Sequence, residues 1–399
     1  IYGWNELLLI GAQTAMGTPK DPTAADALRN VTSDFGPTEQ REIRHAKDKT
    51  LGRDQSSIAF VEGRILPVEW SLGGSFYSPN SAGAVPQGLA ALFVEAFGWT
   101  EVITGGTRVD YTPTAAPSPK GCTLFRGDRS ESHAEVVWDT IGTEFGLTFG
   151  DNECAWTARG VGAGKSIIGQ STVAVMIAGD LTLTLQTIGH ALRFVGGSGS
   201  TPAGKDFYVK IDSEAIKVTA INYSTGVFTI VRAQLGTAAA GHSAGATVKP
   251  HLVSETYQAA SPISEADGSL SVDNGSTTFV GLSGTLRWTT GIAPRQPEYA
   301  QLRAMVDAKA MRFNCESTIS MVLDIADEEM LGRAQQKTAR DLLVKGGAGA
   351  GGKRIKVRYP FSQLLGRPVV YPDDDIATAE LAFMHRGSAG NDTFTLTVE

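Results

Sequence analysis

Between His133 and Lys165 the chain reads HAEVVWDTIGTEFGLTFGDNECAWTARGVGAGK, and the middle of that stretch alternates. Val137, Ile141, Phe145, Leu147 and Phe149 fall on one side, Trp138, Thr140, Glu144, Gly146 and Thr148 on the other. A spacing of two in β-branched and aromatic residues predicts a half-buried strand, one face on a core and one in water. The run 134–149 is long for one strand, where about 5–6 residues is usual. Gly142 is placed to bend or bulge it. Gly150-Asp151-Asn152 supplies a turn, and a second strand follows around 155–159. A long acidic hairpin with a Gly-rich end therefore organises the chain, which is predicted to be mainly β with minor helix.

Composition agrees. Glycine numbers 46 and charged residues are 19% of the chain, which suits strands joined by many turns, because Gly is costly in helices and useful at turns. With 399 residues, 42% of them hydrophobic, one large domain and a smaller one are expected. A formal charge of −7 argues against binding nucleic acid through a general basic surface. No apolar run reaches about 18 residues, so no transmembrane helix is expected. Cys122, Cys154 and Cys315 are too few and too far apart for a disulfide framework or a zinc site, and read as buried free thiols in a reducing cytoplasm.

Along the chain, 1–35 reads as an arm and 36–63 as a densely charged loop or hairpin. Ile65–Tyr77 predicts a strand with Val68, Trp70 and Leu72 alternating with Glu69, Ser71 and Gly73. A helix follows, opened by Pro86, striped by Leu89, Leu92, Phe93 and Ala96 and stopped at Gly98. Asn274-Gly275 predicts a hairpin turn within 268–291. Further helices are expected over 297–311 and 327–345, with a strand at 314–323 between them. A flexible 346–352 link then leads into a β-rich last quarter.

Motifs for chemistry fail one by one. GVGAGK (160–165) lacks the first Gly of a phosphate loop, since position 159 is Arg. His133-Ala-Glu135 has no Pro-Cys-x-x-Cys to complete a deaminase zinc site. Asp373-Asp374-Asp375 lacks ligand spacing. The six histidines show no ligand-spaced or triad-like pattern. No enzyme activity, cofactor or metal is expected.

From Gln170 to about Gln258 the chain becomes small-residue-rich β. Six basic and five acidic residues give this segment +1 against −8 for the remainder. Asp212, Glu214, Arg232, Gly236-Thr237, His242 and Gly245 to Val248 resemble the signature of a small β module that recurs in phage structural proteins. The His133–Lys165 hairpin, with its Trp-Thr-Ala-Arg-Gly and later Gly-Lys, resembles the central hairpin of tail tube proteins of long-tailed bacteriophages. That resemblance covers about 1–169 and 259–399. It implies a β-sandwich or barrel with a packed helix, 170–258 being an outward-projecting insert, and a non-contractile, siphovirus-type tail. Six copies would close into a ring with a continuous β-barrel, and rings would stack into a tube. The implied partners are other copies of the chain, the tape measure protein, tail terminator and distal tail proteins, and DNA passing through without specific binding. The insert would be free to touch the host surface, nothing would enter a membrane, and the protein would reside in the virion tail after assembly in the host cytoplasm.

Basic wall residues would hold DNA by counterion release, whereas a wall with acidic residues keeps it sliding. Glu69 and Glu144, on the polar sides of their strands, are the first candidates for lumen-facing acids. Glu135 and Asp139 share the register of Val137 and Ile141 and would join them only if a bulge at Gly142 flipped that register. Deleting 170–258 is expected to spare assembly. The alternatives are a distal tail or receptor-binding component using the 170–258 module, and an enzyme with a dispersed site.

Overall fold

The computed structural model describes residues 6–37, 41–46, 59–114, 118–149, 153–195, 207–263, 269–272, 277–279, 281–290, 292–295, 307–310, 314–322, 340–347, 354–365, 369–373, 376–387 and 392–399. The fold is mainly β with minor helix, built on a curled half-barrel sheet. The strands that position the site are β1 (Glu6–Ala12), β2 (Val31–Phe35), β3 (Val68–Ser75), β4 (Cys122–Asp128), β5 (Ala134–Phe149), β6 (Ala155–Gly162), β7 (Gly164–Ile168), β8 (Gly281–Thr289), β9 (Asn314–Val322), β10 (Ile355–Leu364) and β11 (Ile376–Arg386). One antiparallel layer runs β2–β3–β6–β5–β8–β9–β11 and uses the second half of β5. The first half of β5 lies instead between β4 and β7, with β1 beyond β4. One strand thus belongs to two layers.

Parity along β5 shows how it bends. A Cβ at Gly142 would lie 2.2 Å from Phe97, so this residue faces the main core, as Val137 and Phe145 do. The steps from 137 to 142 and from 142 to 145 are both odd, which a regular pleat forbids. Two bulges resolve this. One accompanies Asp139, at φ 52°, where the register with β4 shifts; the other lies between Gly142 and Glu144, where the register with β6 shifts. Their effects cancel, so Val137 and Phe145 share a face while Ile141, between the bulges, packs separately with Met16, Val161 and Ala163. The half-buried expectation holds only for the second half of β5. From Val137 to Gly142 every residue is buried, because this half is covered on both faces.

The expected helix forms as an α-turn over Leu89–Ala91 running into a π-turn over Leu92–Ala96, and Gly98 follows at φ 68°. All four stripe residues are buried. Phe93 stacks on Trp99 with centroids 5.0 Å apart and meets Phe145 edge-on at 5.1 Å; Trp288 and Phe394 continue the cluster. This aromatic core holds the two layers together.

The C-terminal helix expectations need correction. Asp307–Ala310, assigned to the end of a helix, is a strand paired with Ile292–Arg295; residues 297–306 lie outside the described residues. Arg340–Gly346, assigned to the second helix, is a strand laddered on both sides, with Leu342 and Val344 turned inward at a spacing of two. Residues 327–339, the Asn274-Gly275 turn, Asp374-Asp375 and most of the 346–352 link lie outside the described residues.

Six strands between Ser171 and Pro250 form a separate sheet. It closes on itself, because Ala174 and Gln186 donate to Thr184 and Thr172 (2.8 and 3.0 Å) and join its two edges. Its core is not its own, however. Val209, Ile211, Val218 and Phe228 share one cluster with Leu7, Leu9, Phe125, Ala134 and Ile168 of the body. Glu131, in the turn before β5, pairs with Lys210 and Lys249, and Arg129 with Glu255.

Candidate functional site

The organising hairpin contributes to one exposed polar face, that of the β2–β3–β6–β5–β8 layer. Alternation places Thr32, Thr157, Thr148 and Thr285 in the open, with Ser71, Gly73 and Gly146 between them. Ionic residues are few and of mixed sign. Glu69, Asp34 and Arg159 are exposed; Glu144 is half-buried and accepts a hydrogen bond from Arg287 Nη2 at 2.5 Å. Glu144 also stands across the ladder from Arg159. On these strands three carboxylates face two guanidiniums, a surface of short hydroxyls and near-balanced charge.

Glu69 and Glu144 therefore lie on this face, two strands apart. Glu135 does not. The bulge at Gly142 exists, but the second bulge at Asp139 restores the parity and keeps Glu135 on the inner side. There it is 6% exposed and contacts two cations, the Arg126 guanidinium and Lys165 Nζ at 2.8 Å, and the His133 ring through Nε2 at 3.4 Å. Burial opposes its ionisation, but hydrogen bonds from His133 and Lys165 and the charges of Arg126 and Lys165 outweigh that and hold its pKa at about 2. Asp139 is buried too, and accepts a hydrogen bond from the Gly17 amide at 2.7 Å.

Sequence reasoning missed Arg126 and Lys165. Each is a lone cation within an apolar strand, a pattern that signals a buried ion pair when a carboxylate lies in register, and Arg126 pairs directly with Glu135 across the ladder. The Gly-Lys of GVGAGK thus serves a strand. Gly160, Gly162 and Gly164 leave room for Trp70, Val137 and Trp138, each within 2.5 Å of where a Cβ would sit.

In the closed barrel the motif residues do converge. Glu214 is 1% exposed and takes two hydrogen bonds from Arg232 (2.7 and 2.6 Å), one from His242 Nε2 (2.9 Å) and two from the Ala233 and Ala240 amides. Desolvation is again outweighed, here by Arg232, His242 and the two amides, and the carboxyl is held at about 2. His242 Nδ1 lies 2.7 Å from Asp212. The network pins a loop over 233–241 whose backbone is left-handed at Ala233, Leu235 and Gly236. Nearby, Val175, Ile177 and Leu181 stand 73%, 66% and 71% exposed.

Among the described residues, no group of three or more His, Cys, Asp or Glu side chains is placed to hold a metal, and no helix is long and apolar enough to cross a membrane. Cys122 and Cys154 are buried free thiols. A cavity of about 50 Å³ lies between the barrel and the body, lined by Leu9, Phe125, Trp138, Phe207 and His251. It is well below the ~150 Å³ that admits benzene in an engineered apolar cavity. Comparison of the chain with protein-family models and with curated proteins finds no match.

Proposed function

We propose that this chain is a tail tube protein of a long-tailed, non-contractile bacteriophage, six copies of which close into a ring and stack as a conduit for DNA. One observation carries the reading: the bent β5–β6 hairpin presents a threonine-, serine- and glycine-rich face of near-balanced charge on a curled sheet. A wall that holds DNA neutralises phosphates with lysine and arginine and releases counterions. This face offers two arginines, one of them already paired with Glu144, so it has little to hold a polyanion with. Curled layers placed side by side complete a barrel and remove open strand edges. The tape measure protein would fill the bore before DNA, terminator and distal tail proteins would close the two ends, and the 171–250 barrel would lie outside.

A second reading is favoured by the exposed Val175, Ile177 and Leu181: a distal tail or receptor-binding component that engages its target through the closed barrel. Electron microscopy of the purified full chain separates the two. Stacked rings with a central hole are expected. Discs or trimers that never stack would favour the second reading, and single compact particles at all concentrations would sink the first.

A further inference from the structure

Among the described residues, the outer edge of β2 meets side chains and no strand. Gly36 donates to Glu69 at 2.8 Å, which fixes the ladder parity: the even residues of β2 bond to β3, and Val31, Ser33 and Phe35 turn their amides and carbonyls away from it. Among the described residues β2 ladders with β3 alone. Two of the outward carbonyls accept from cations. Arg126 Nη1 donates to Ser33 O at 2.9 Å, and Lys165 Nζ reaches Phe35 O at 3.4 Å and Gly36 O at 3.1 Å. The Arg126 guanidinium also covers the Phe35 ring at 4.8 Å. Both cations come from the other layer, on β4 and β7, and Glu135 between them pairs with each and offsets one of the two charges.

An uncovered strand edge is a template for another chain, and proteins block such edges with charge or cover. We infer that Arg126, Glu135 and Lys165 form an edge lock: they hold β2 against the β4–β5–β7 layer, and without them β2 accepts a strand from a second copy of this chain. Capping by cations suits this role because a lysine or arginine saturates carbonyls while offering no continuation of the ladder. Glu135 lowers the cost of enclosing the two cations, since two like charges held there with no carboxylate between them would be costly. The lock concerns the isolated subunit, so ring formation by the wild-type chain, or its failure, leaves the inference standing.

The test is the triple variant Arg126→Met, Glu135→Leu, Lys165→Met, which replaces the whole ionic group by apolar side chains of similar size. Such replacements are often neutral in stability. At a concentration where the wild-type chain sediments as a single subunit, the variant is expected to keep its circular dichroism spectrum and sediment as larger, concentration-dependent species. Adding Ser33→Pro, which removes an outward amide without touching the β2–β3 ladder, should return it to a single subunit. A folded triple variant that sediments like wild type overturns the inference, as does association that Ser33→Pro leaves unchanged. If the triple variant does not fold, Lys165→Met alone, which keeps the Arg126–Glu135 pair, is read by the same two criteria.

Discussion

At the scale of single residues, Glu69 and Glu144 look alike in the sequence and differ in the fold. Glu69 is exposed, with Val161 opposite it in the β6 ladder. Glu144 sits between Arg287 and Arg159, so reversing its charge places three cations together. Glu144→Lys is therefore expected to destabilise by about 1 kcal/mol, in line with partly exposed pairs and like-charge repulsion across a ladder. Glu69→Lys should stay within about 0.5 kcal/mol of wild type. Urea midpoints at constant slope measure both; equal shifts would show that the Arg287 contact contributes nothing. A second residue-scale expectation concerns acid. His385 is buried against the Tyr359 ring, centroids 3.6 Å apart, with Ser362 Oγ 2.8 Å from its Nδ1. Desolvation alone pushes its pKa down to about 3. The folded value is depressed, so its contribution is complete above the unfolded value of 6.5 and is lost as pH falls toward 3, by up to ~1.4 kcal/mol per pH unit. Glu135 and Glu214, also depressed, add their losses only below 4.5. His385→Phe should keep the ring stack and make the melting temperature fall less between pH 6.5 and 4.5, the fall that remains there belonging to His251, whose pKa burial also lowers. An unchanged profile would assign that acid sensitivity elsewhere.

At the scale of elements, the hairpin was legible in outline and not in its bend. Alternation from Val137 to Phe149 reads straight through because two one-residue bulges cancel, and a sum of zero leaves no mark on parity. The sign of the bend lies in Asp139 and Gly142, a left-handed backbone and an absent Cβ, which period counting does not see. In the closed barrel, by contrast, Phe207, Val209 and Ile211 are buried and Tyr208 and Lys210 less so, a plain alternation that spacing alone exposes because no bulge interrupts it. Strand Arg340–Gly346 was misread as helix because Leu-Leu-Val between charged residues fits either period over so short a run. Glycine offers a test of the bend. A Cβ at Gly160 would lie 1.9 Å from the Ile141 carbonyl oxygen and 2.5 Å from Trp70, and a backbone atom cannot step aside without moving β5. Gly160→Ala should cost about 2–3 kcal/mol as overpacking. Gly179→Ala, with nothing within 4 Å of its added carbon, should be nearly neutral. Equal denaturation midpoints for the two variants would mean that the hairpin relaxes freely, and the bend would then not be fixed by packing.

At the scale of the whole molecule, the charge difference between 170–258 and the rest suggested a separable insert, and packing joins what charge divides. The outward face of the β1–β4–β5–β7 layer carries Leu7, Leu9, Phe125, Ala134 and Ile168, all buried under the closed barrel. Removing 170–258 uncovers that face. Returning a large apolar side chain to water costs about 1.5–3 kcal/mol, and an open apolar patch also promotes aggregation. The inward face, with Leu8 and Ile10 in the main core, is untouched by the deletion. The shortened chain with a short linker is therefore expected to fold yet aggregate, where the resemblance implied that the deletion would spare assembly. The same deletion carrying Leu7→Thr, Leu9→Thr and Phe125→Thr should remain soluble, because only the uncovered face has been changed. Size-exclusion chromatography with circular dichroism reads both chains. Aggregation of the first with recovery of the second would assign the insolubility to lost cover, whereas a plain deletion that runs monodisperse at wild-type melting temperature would show the shared cluster to be dispensable and the barrel a true appendage.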